Sequence, residues 1–226
     1  MPGPHVLSHR EQHAAETLAR AMAHLACADF RLADVIDRIG PCGLRRQAGG
    51  FPRLFRSILG QQLSTKAAAT IHGRIVAACG QEVTPARVLA LPDRAFVEAG
   101  VSRPKARYLR ALAETARDDP RFFDRLPRLA DEAAIERLTS LLGVGRWTAE
   151  MYLIFCLGRL DVLPLGDVSI HAAASKLHGI RRARMPKRLP RLAEPWRPYR
   201  SVACWYLYAH LDSPPLIEVA PAEGPS

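Results

Sequence analysis

Asp167 stands in Leu163-Pro164-Leu165-Gly166-Asp167-Val168-Ser169-Ile170, a proline-bearing turn that leads into a helical pattern. A carboxylate at a helix start faces unsatisfied N–H groups and the positive end of the helix dipole, so capping is its ordinary task. Where such an acid also meets a ligand, it stabilises positive charge developing there, or orients and deprotonates a water. Twenty positions before it is Trp147, inside Leu138-Thr139-Ser140-Leu141-Leu142-Gly143-Val144-Gly145-Arg146-Trp147-Thr148-Ala149-Glu150. Two glycines around Val144 permit the positive φ and close approach of a tight turn between helices. That turn leaves N–H groups at a fresh helix start, where a phosphate is attracted. A Gly-x-Gly turn alone is equally an ordinary helix–helix connection.

The elements that must hold these residues read as helices throughout. Apolar residues recur at helical spacing from Glu11 to Cys27, and Asp29 caps a second helix with Leu32, Val35 and Ile36. Gly40 to Gly50 is a loop, followed by a short helix with Leu54, Phe55, Ile58 and Leu59. Ser64 caps an Ala-rich helix ending near Gly80, and Thr84-Pro85 opens another. Further helices start at Asp93 (ended by Gly100), at Ser102 (to Asp118), at Asp131 (to about Leu141) and at Arg146 (to about Gly158). Phe122 to Arg128 reads as irregular. Asp167 or Ser169 opens a helix to His178, and the last long one runs from about Pro198 to His210. No stretch alternates for long with the period of a strand. The expectation is an all-α chain of about ten short helices, with a loose tail from Ser213.

The chain has 226 residues and a formal net charge of +10, which points to a polyanionic partner, most simply nucleic acid. An arginine-rich genome gives the same charge without that meaning. The run Arg181 to Arg188 holds five cations and suits either DNA phosphates or a solvated loop. No apolar run is long enough for a bilayer, and Met1 to Gln12 lacks a signal-peptide layout, so the expected place is the cytoplasm, or the nucleus in a eukaryote, and not outside the cell. Cys27, Cys42, Cys79, Cys156 and Cys204 are scattered without metal-ligand spacing, and the eight histidines show none either.

Taken together, the hairpin and the acid resemble the signature of the helix-hairpin-helix–Gly/Pro–Asp superfamily of DNA glycosylases. Ser57-Ile58-Leu59-Gly60-Gln61-Gln62-Leu63-Ser64, Val101 to Leu109, and Trp196-Arg197-Pro198-Tyr199-Arg200-Ser201 to Trp205 resemble further landmarks, the last of the 3-methyladenine glycosylase II branch in its short form. The likeness covers roughly residues 45 to 212. It implies two helical lobes with an active-site cleft between them: residues 1–50 joining a C-terminal lobe at 163–212, a central domain at 51–162, and a tail at 213–226. It also implies that Asp167 is the catalytic acid, and that Trp147, Trp205 and Met151 line the base pocket. Gly143, Val144, Gly145, Thr148, Gln61, Gln62 and Leu63 would contact DNA, with Gln62 at the position of a wedge that fills the gap left by an extruded base.

On that resemblance the activity is removal of alkylated purines from double-stranded DNA by a monomer that binds no membrane. Such bases already carry positive charge, so one carboxylate suffices, and electron-rich indoles suit them by stacking and cation–π attraction. Both tryptophans also suit plain core packing. Relatives that cleave the strand carry a lysine at the position of Trp147, and an indole offers no nucleophilic amine. No cofactor is required, the four-cysteine motif of an iron–sulfur branch is missing, and no side chain ligates a metal. The resemblance does imply Na+ or K+ on hairpin backbone carbonyls. A tyrosine of some relatives falls at Met151, while Tyr152 lies elsewhere on that helix. Three alternatives stay open: a glycosylase for mismatched or oxidised bases, a DNA-binding module without chemistry, and a basic helical scaffold.

Overall fold

Thirteen α-helices form among residues 8–211, which the computed structural model describes. The expected tail from Ser213, and residues 1–7 of the polar N-terminal stretch, lie outside the described residues. The helices begin where the sequence supplies caps. Ser8 and Glu11 close a reciprocal capping box at the head of α1 (His9–Ala28). Asp29 accepts from the N–H groups of Arg31 and Leu32 and starts α2 (Phe30–Ile39). Ser64 and Thr84 cap α4 (Thr65–Ala78) and α5 (Pro85–Ala90) in the same way.

The chain divides into two compact units. One takes the chain up to Arg45 and again from Arg159 to the last described residue; the other takes Arg46–Gly158. In the first, α1 and α2 pack with α11 (Val168–His178), α12 (Met185–Leu192) and α13 (Arg200–His210). Its core holds Leu25, Leu32, Trp196 and Tyr206, each fully buried. The two large polar side chains are satisfied there: Trp196 Nε1 donates to Asp29 Oδ2 at 3.0 Å, and Tyr206 Oη donates to the Gly40 carbonyl at 2.8 Å.

In the second unit, α3 (Phe51–Gly60) packs on α4 and on α7 (Arg103–Asp118), and α7 also holds α5 and α6 (Asp93–Ala99). Leu54, Phe55, Ile58 and Leu109 form its centre. Then come α8 (Phe122–Arg125), α9 (Asp131–Thr139) and α10 (Arg146–Tyr152).

Three expectations change. Phe122 to Arg128 is not irregular but a helical turn followed by a 3₁₀ turn, anchored by buried Phe122 and Leu126; the apolar positions are too few for periodicity to reveal it. The basic run is not a loop, since α12 forms through it despite Pro190. The helix from Arg146 does not stay α-helical to Gly158, for it widens into a π turn over Leu153–Leu157. That widening leaves carbonyls for the segment after Arg45: Gln47 N donates to Phe155 O at 2.7 Å and Arg46 Nε to Cys156 O at 2.9 Å. Gly49 runs so close that a Cβ would lie 2.8 Å from the Tyr152 hydroxyl. Burial pushes the pKa of that phenol up to about 12, so it stays neutral and accepts from Gly50 N at 2.6 Å.

Candidate functional site

The turn before α11 closes when Asp167 N donates to the Pro164 carbonyl at 3.0 Å. This sets the Asp167 side chain at the helix N-terminus. Its Oδ1 accepts from Ser169 N at 2.7 Å and Ile170 N at 2.9 Å. Its Oδ2 accepts from the hydroxyl of Tyr208, on α13, at 2.7 Å. Asp167 is only 4 % exposed, and these three donors offset the cost of burying a carboxylate. Around it the surface is apolar: Leu165 is 46 % and Val168 66 % exposed. Exposed aliphatic side chains flanking a buried acid suit a ligand that covers them.

The first turn of α13 holds the segment leading to this acid. Arg200 donates through Nε to Asp161 Oδ1 at 2.7 Å and through Nη2 to the Asp161 carbonyl at 2.6 Å. Ser201 Oγ accepts from Val162 N at 2.9 Å, and Ser201 N donates to Leu160 O at 2.9 Å. The same helix thus ties down the turn at one end and grips Asp167 at the other. Trp205, half-buried, sits edge-on to Tyr206 with ring centroids 5.0 Å apart, and Gly43 packs so closely that a Cβ there would lie 3.0 Å from the indole. Tyr208 escaped the sequence reading. The available signal was its place three residues after Trp205, one turn along the same helix.

In the other unit the hairpin forms, and of its two glycines only Gly143 is required by the backbone, since Gly145 has φ -89 and open space beside it. Gly143 has φ +84, and a Cβ on it would fall 2.5 Å from the Tyr108 ring. Val144 N donates to Leu141 O at 3.1 Å, and Gly145 caps α10. The loop Gln61-Gln62-Leu63 is joined to this hairpin, because Gln61 Nε2 donates to the Gly143 carbonyl at 2.9 Å. Lys105 holds the loop from below: its ammonium donates to the carbonyls of Leu59 at 2.8 Å and Gln61 at 2.5 Å, and burial lowers its pKa. Gln62 is exposed with φ +58, a left-handed conformation that side chains seldom adopt, and Leu63 is half-buried beside it. A cavity of about 220 Å³ opens behind the loop, lined by Gln62, Leu63, Ile71 and Lys105 among others.

The remaining expected residues differ in burial. Trp147 is half-buried, whereas Thr148 is buried and Met151 fully so. Trp147 and Met151 belong to one unit, and Trp205 and Asp167 to the other. Arg146, also unread in the sequence, forks onto Glu132 at 2.6 and 3.0 Å and reaches the buried Glu150 at 3.0 Å, tying α9 to the start of α10. The carboxylate of Glu132 is held below its usual range by that arginine. No three His, Cys, Asp or Glu side chains gather to hold a metal among the described residues, and no described helix is long and apolar enough to cross a membrane.

Residues 55–198 match the HhH-GPD superfamily of base excision DNA repair proteins. The chain is 30 % identical over 196 residues to the alkylbase DNA glycosidase-like protein mag2 of Schizosaccharomyces pombe, covering 84 % of this chain and 92 % of that one. The crystal structure of a DNA-3-methyladenine glycosidase from Bacillus halodurans superposes with a TM-score of 0.76 at 36 % identity, over 84 % of this chain and 88 % of that one. The 3-methyladenine DNA glycosylase Mag1 of S. pombe, solved in complex with abasic DNA, gives 0.74 at 31 % identity, over 84 % and 95 %.

Proposed function

The chain belongs to the HhH-GPD superfamily of base excision DNA repair proteins, and from that premise we propose that it hydrolyses the N-glycosidic bond of alkylated purines in duplex DNA and leaves the strand intact. The observation that carries this reading is the buried Asp167 carboxylate, fixed by two α11 N–H groups and the Tyr208 hydroxyl. Breaking the bond to the base develops positive charge at C1′ of the sugar, and a preorganised carboxylate lowers that barrier. Asp167 also orients the water that attacks C1′. An alkylated purine leaves as a neutral base, because its positive charge is discharged as the bond breaks, so no strong general acid is needed.

Trp147 occupies the hairpin position at which a lysine would act as nucleophile, and an indole forms no Schiff base with the sugar aldehyde. The reaction therefore stops at an abasic site. The hairpin N–H groups around Gly143 and Gly145 take a backbone phosphate. The carbonyls of Leu142 and Val144 accept no backbone hydrogen bond among the described residues, and they would hold a Na+ or K+ ion that adds charge facing that phosphate. Gln62, exposed at the tip of its loop, enters the base stack as the wedge, with Leu63 supporting it. The test is direct: incubate the protein with methylated duplex DNA and identify the released bases by chromatography. Release of 3-methyladenine-type bases supports the reading, and release of mismatched or oxidised bases alone replaces it.

A further inference from the structure

Between Asp167 and Glu194 the sequence has no acidic residue, and its second half carries Arg181, Arg182, Arg184, Lys187, Arg188 and Arg191. Folding sorts this run. Met185 and Leu189 of α12 point inward and are fully buried. Arg184, Lys187, Arg188 and Arg191 fall at spacings of three, four and seven, so they share one stripe, and all four are exposed. None of the four has an ion pair or side-chain hydrogen bond among the described residues. The next acid along, Glu194, is paired with Arg197. Like charges at these helical spacings repel. The stripe therefore lacks the compensation that an anionic partner would supply.

We propose that this stripe is a second contact for the phosphate backbone of duplex DNA, in addition to the hairpin; the proposal rests on the DNA repair reading above. Seven residues of helix rise about 10 Å, the axial rise of about three base pairs at about 3.4 Å each, so the stripe can meet two or three phosphates. Asp167 caps the N-terminus of α11, and α12 packs on that helix after it ends at His178. A lipid surface fits less well, because the apolar face of α12 is buried and nothing remains to enter the bilayer.

The test compares the wild type with a variant carrying Arg184→Gln, Lys187→Gln, Arg188→Gln and Arg191→Gln. Glutamine is a good helix former at exposed positions, and far-UV circular dichroism with a thermal melt confirms the fold. Binding is followed by anisotropy over a salt series on a duplex of about 24 base pairs with a central abasic analogue. Each lost phosphate contact lowers the slope of log K against log salt by about 0.9, so the variant's slope should fall by about 2 to 3.5, with at least tenfold weaker binding at low salt. An unchanged slope on this duplex overturns the proposal. So does loss confined to single-stranded RNA or anionic vesicles, which would give the stripe another partner. Should the fourfold variant melt early, Lys187→Gln and Arg188→Gln singly must each remove about 0.9 of slope. Binding involves no chemistry, so absent base release by the wild type would count against the glycosylase reading alone.

Discussion

The hydroxyl of Tyr208 donates to the Asp167 carboxylate at 2.7 Å, across 41 residues of sequence, and it meets the oxygen that the two α11 N–H groups do not. The acid is therefore held from two helices, α11 through its backbone and α13 through a side chain. Tyr208→Phe removes one donor and keeps the ring. A hydrogen bond to a charged group is worth about 1.5–3 kcal/mol, so single-turnover base release should fall about 10- to 100-fold. Affinity for abasic DNA should change much less. A variant that releases bases at the wild-type rate would reduce Tyr208 to a packing residue.

Gly143→Ala should cost stability twice over. It forces a side chain onto φ +84 and drives its Cβ to within 2.5 Å of the Tyr108 ring. Such backbone strain alone is worth on the order of 1–3 kcal/mol. Thermal melts should show a clear loss. Adding Tyr108→Ala should recover only the steric part, because the backbone remains left-handed; full recovery would show that strain contributes nothing.

Gln61→Ala breaks the link from the loop to the Gly143 carbonyl and leaves Lys105 as the loop's hold. Base release from duplex DNA should drop several-fold, while release from a base already unpaired should drop less, since extrusion is the step that needs the loop. Equal losses on both substrates would place Gln61 outside that step.

Acid should weaken the fold through His178. Burial lowers its pKa foremost; Asp29, with Oδ2 3.4 Å away, opposes this, and Arg31 adds to it. His72 is lowered as well, by burial and then by Arg56. A histidine with a depressed folded pKa binds protons more readily when unfolded. Its contribution is present above the unfolded value of about 6.5 and is lost as pH falls from there toward the folded value. Melting temperatures should decline below about pH 6.5, and His178→Gln should flatten that decline. A decline of the same steepness in the variant would move the effect to other groups.

Much of this was legible in the sequence because the signals are local. Asp29, Ser64 and Thr84 cap as their types require, and the hairpin turn needs a glycine at Gly143. What stayed hidden depends on partners distant in the chain. Tyr208 gains its meaning only when α13 packs on α11, and Arg200 only when Asp161 lies beside it. The helix through the basic run was obscured by its prolines, and tertiary burial of Met185 and Leu189 overrides them. The burial of Thr148 and Met151 was likewise not legible, because spacing from the hairpin does not specify the rotation of α10.

Single-step chemistry has its own measurement. Borohydride should trap no covalent protein–DNA adduct on a substrate that the wild type excises, and strand breaks should appear only after alkali or heat. A robust adduct would mean that a lysine such as Lys176 or Lys66 reaches the sugar, and that Trp147 does not mark the reaction as hydrolytic.

The central claim is that the Asp167 carboxylate releases the base, and Asp167→Asn tests it most directly. Asparagine keeps an oxygen for the Ser169 and Ile170 N–H groups and can place its amide against the Tyr208 hydroxyl, so the helix cap and the fold should survive. Only the negative charge is removed. With the fold confirmed by a thermal melt, single-turnover release of alkylated purines from methylated duplex DNA should fall by at least a thousandfold, about 4 kcal/mol of barrier, while duplex binding stays within a few-fold of wild type. Release at a rate near that of the wild type would contradict the assignment.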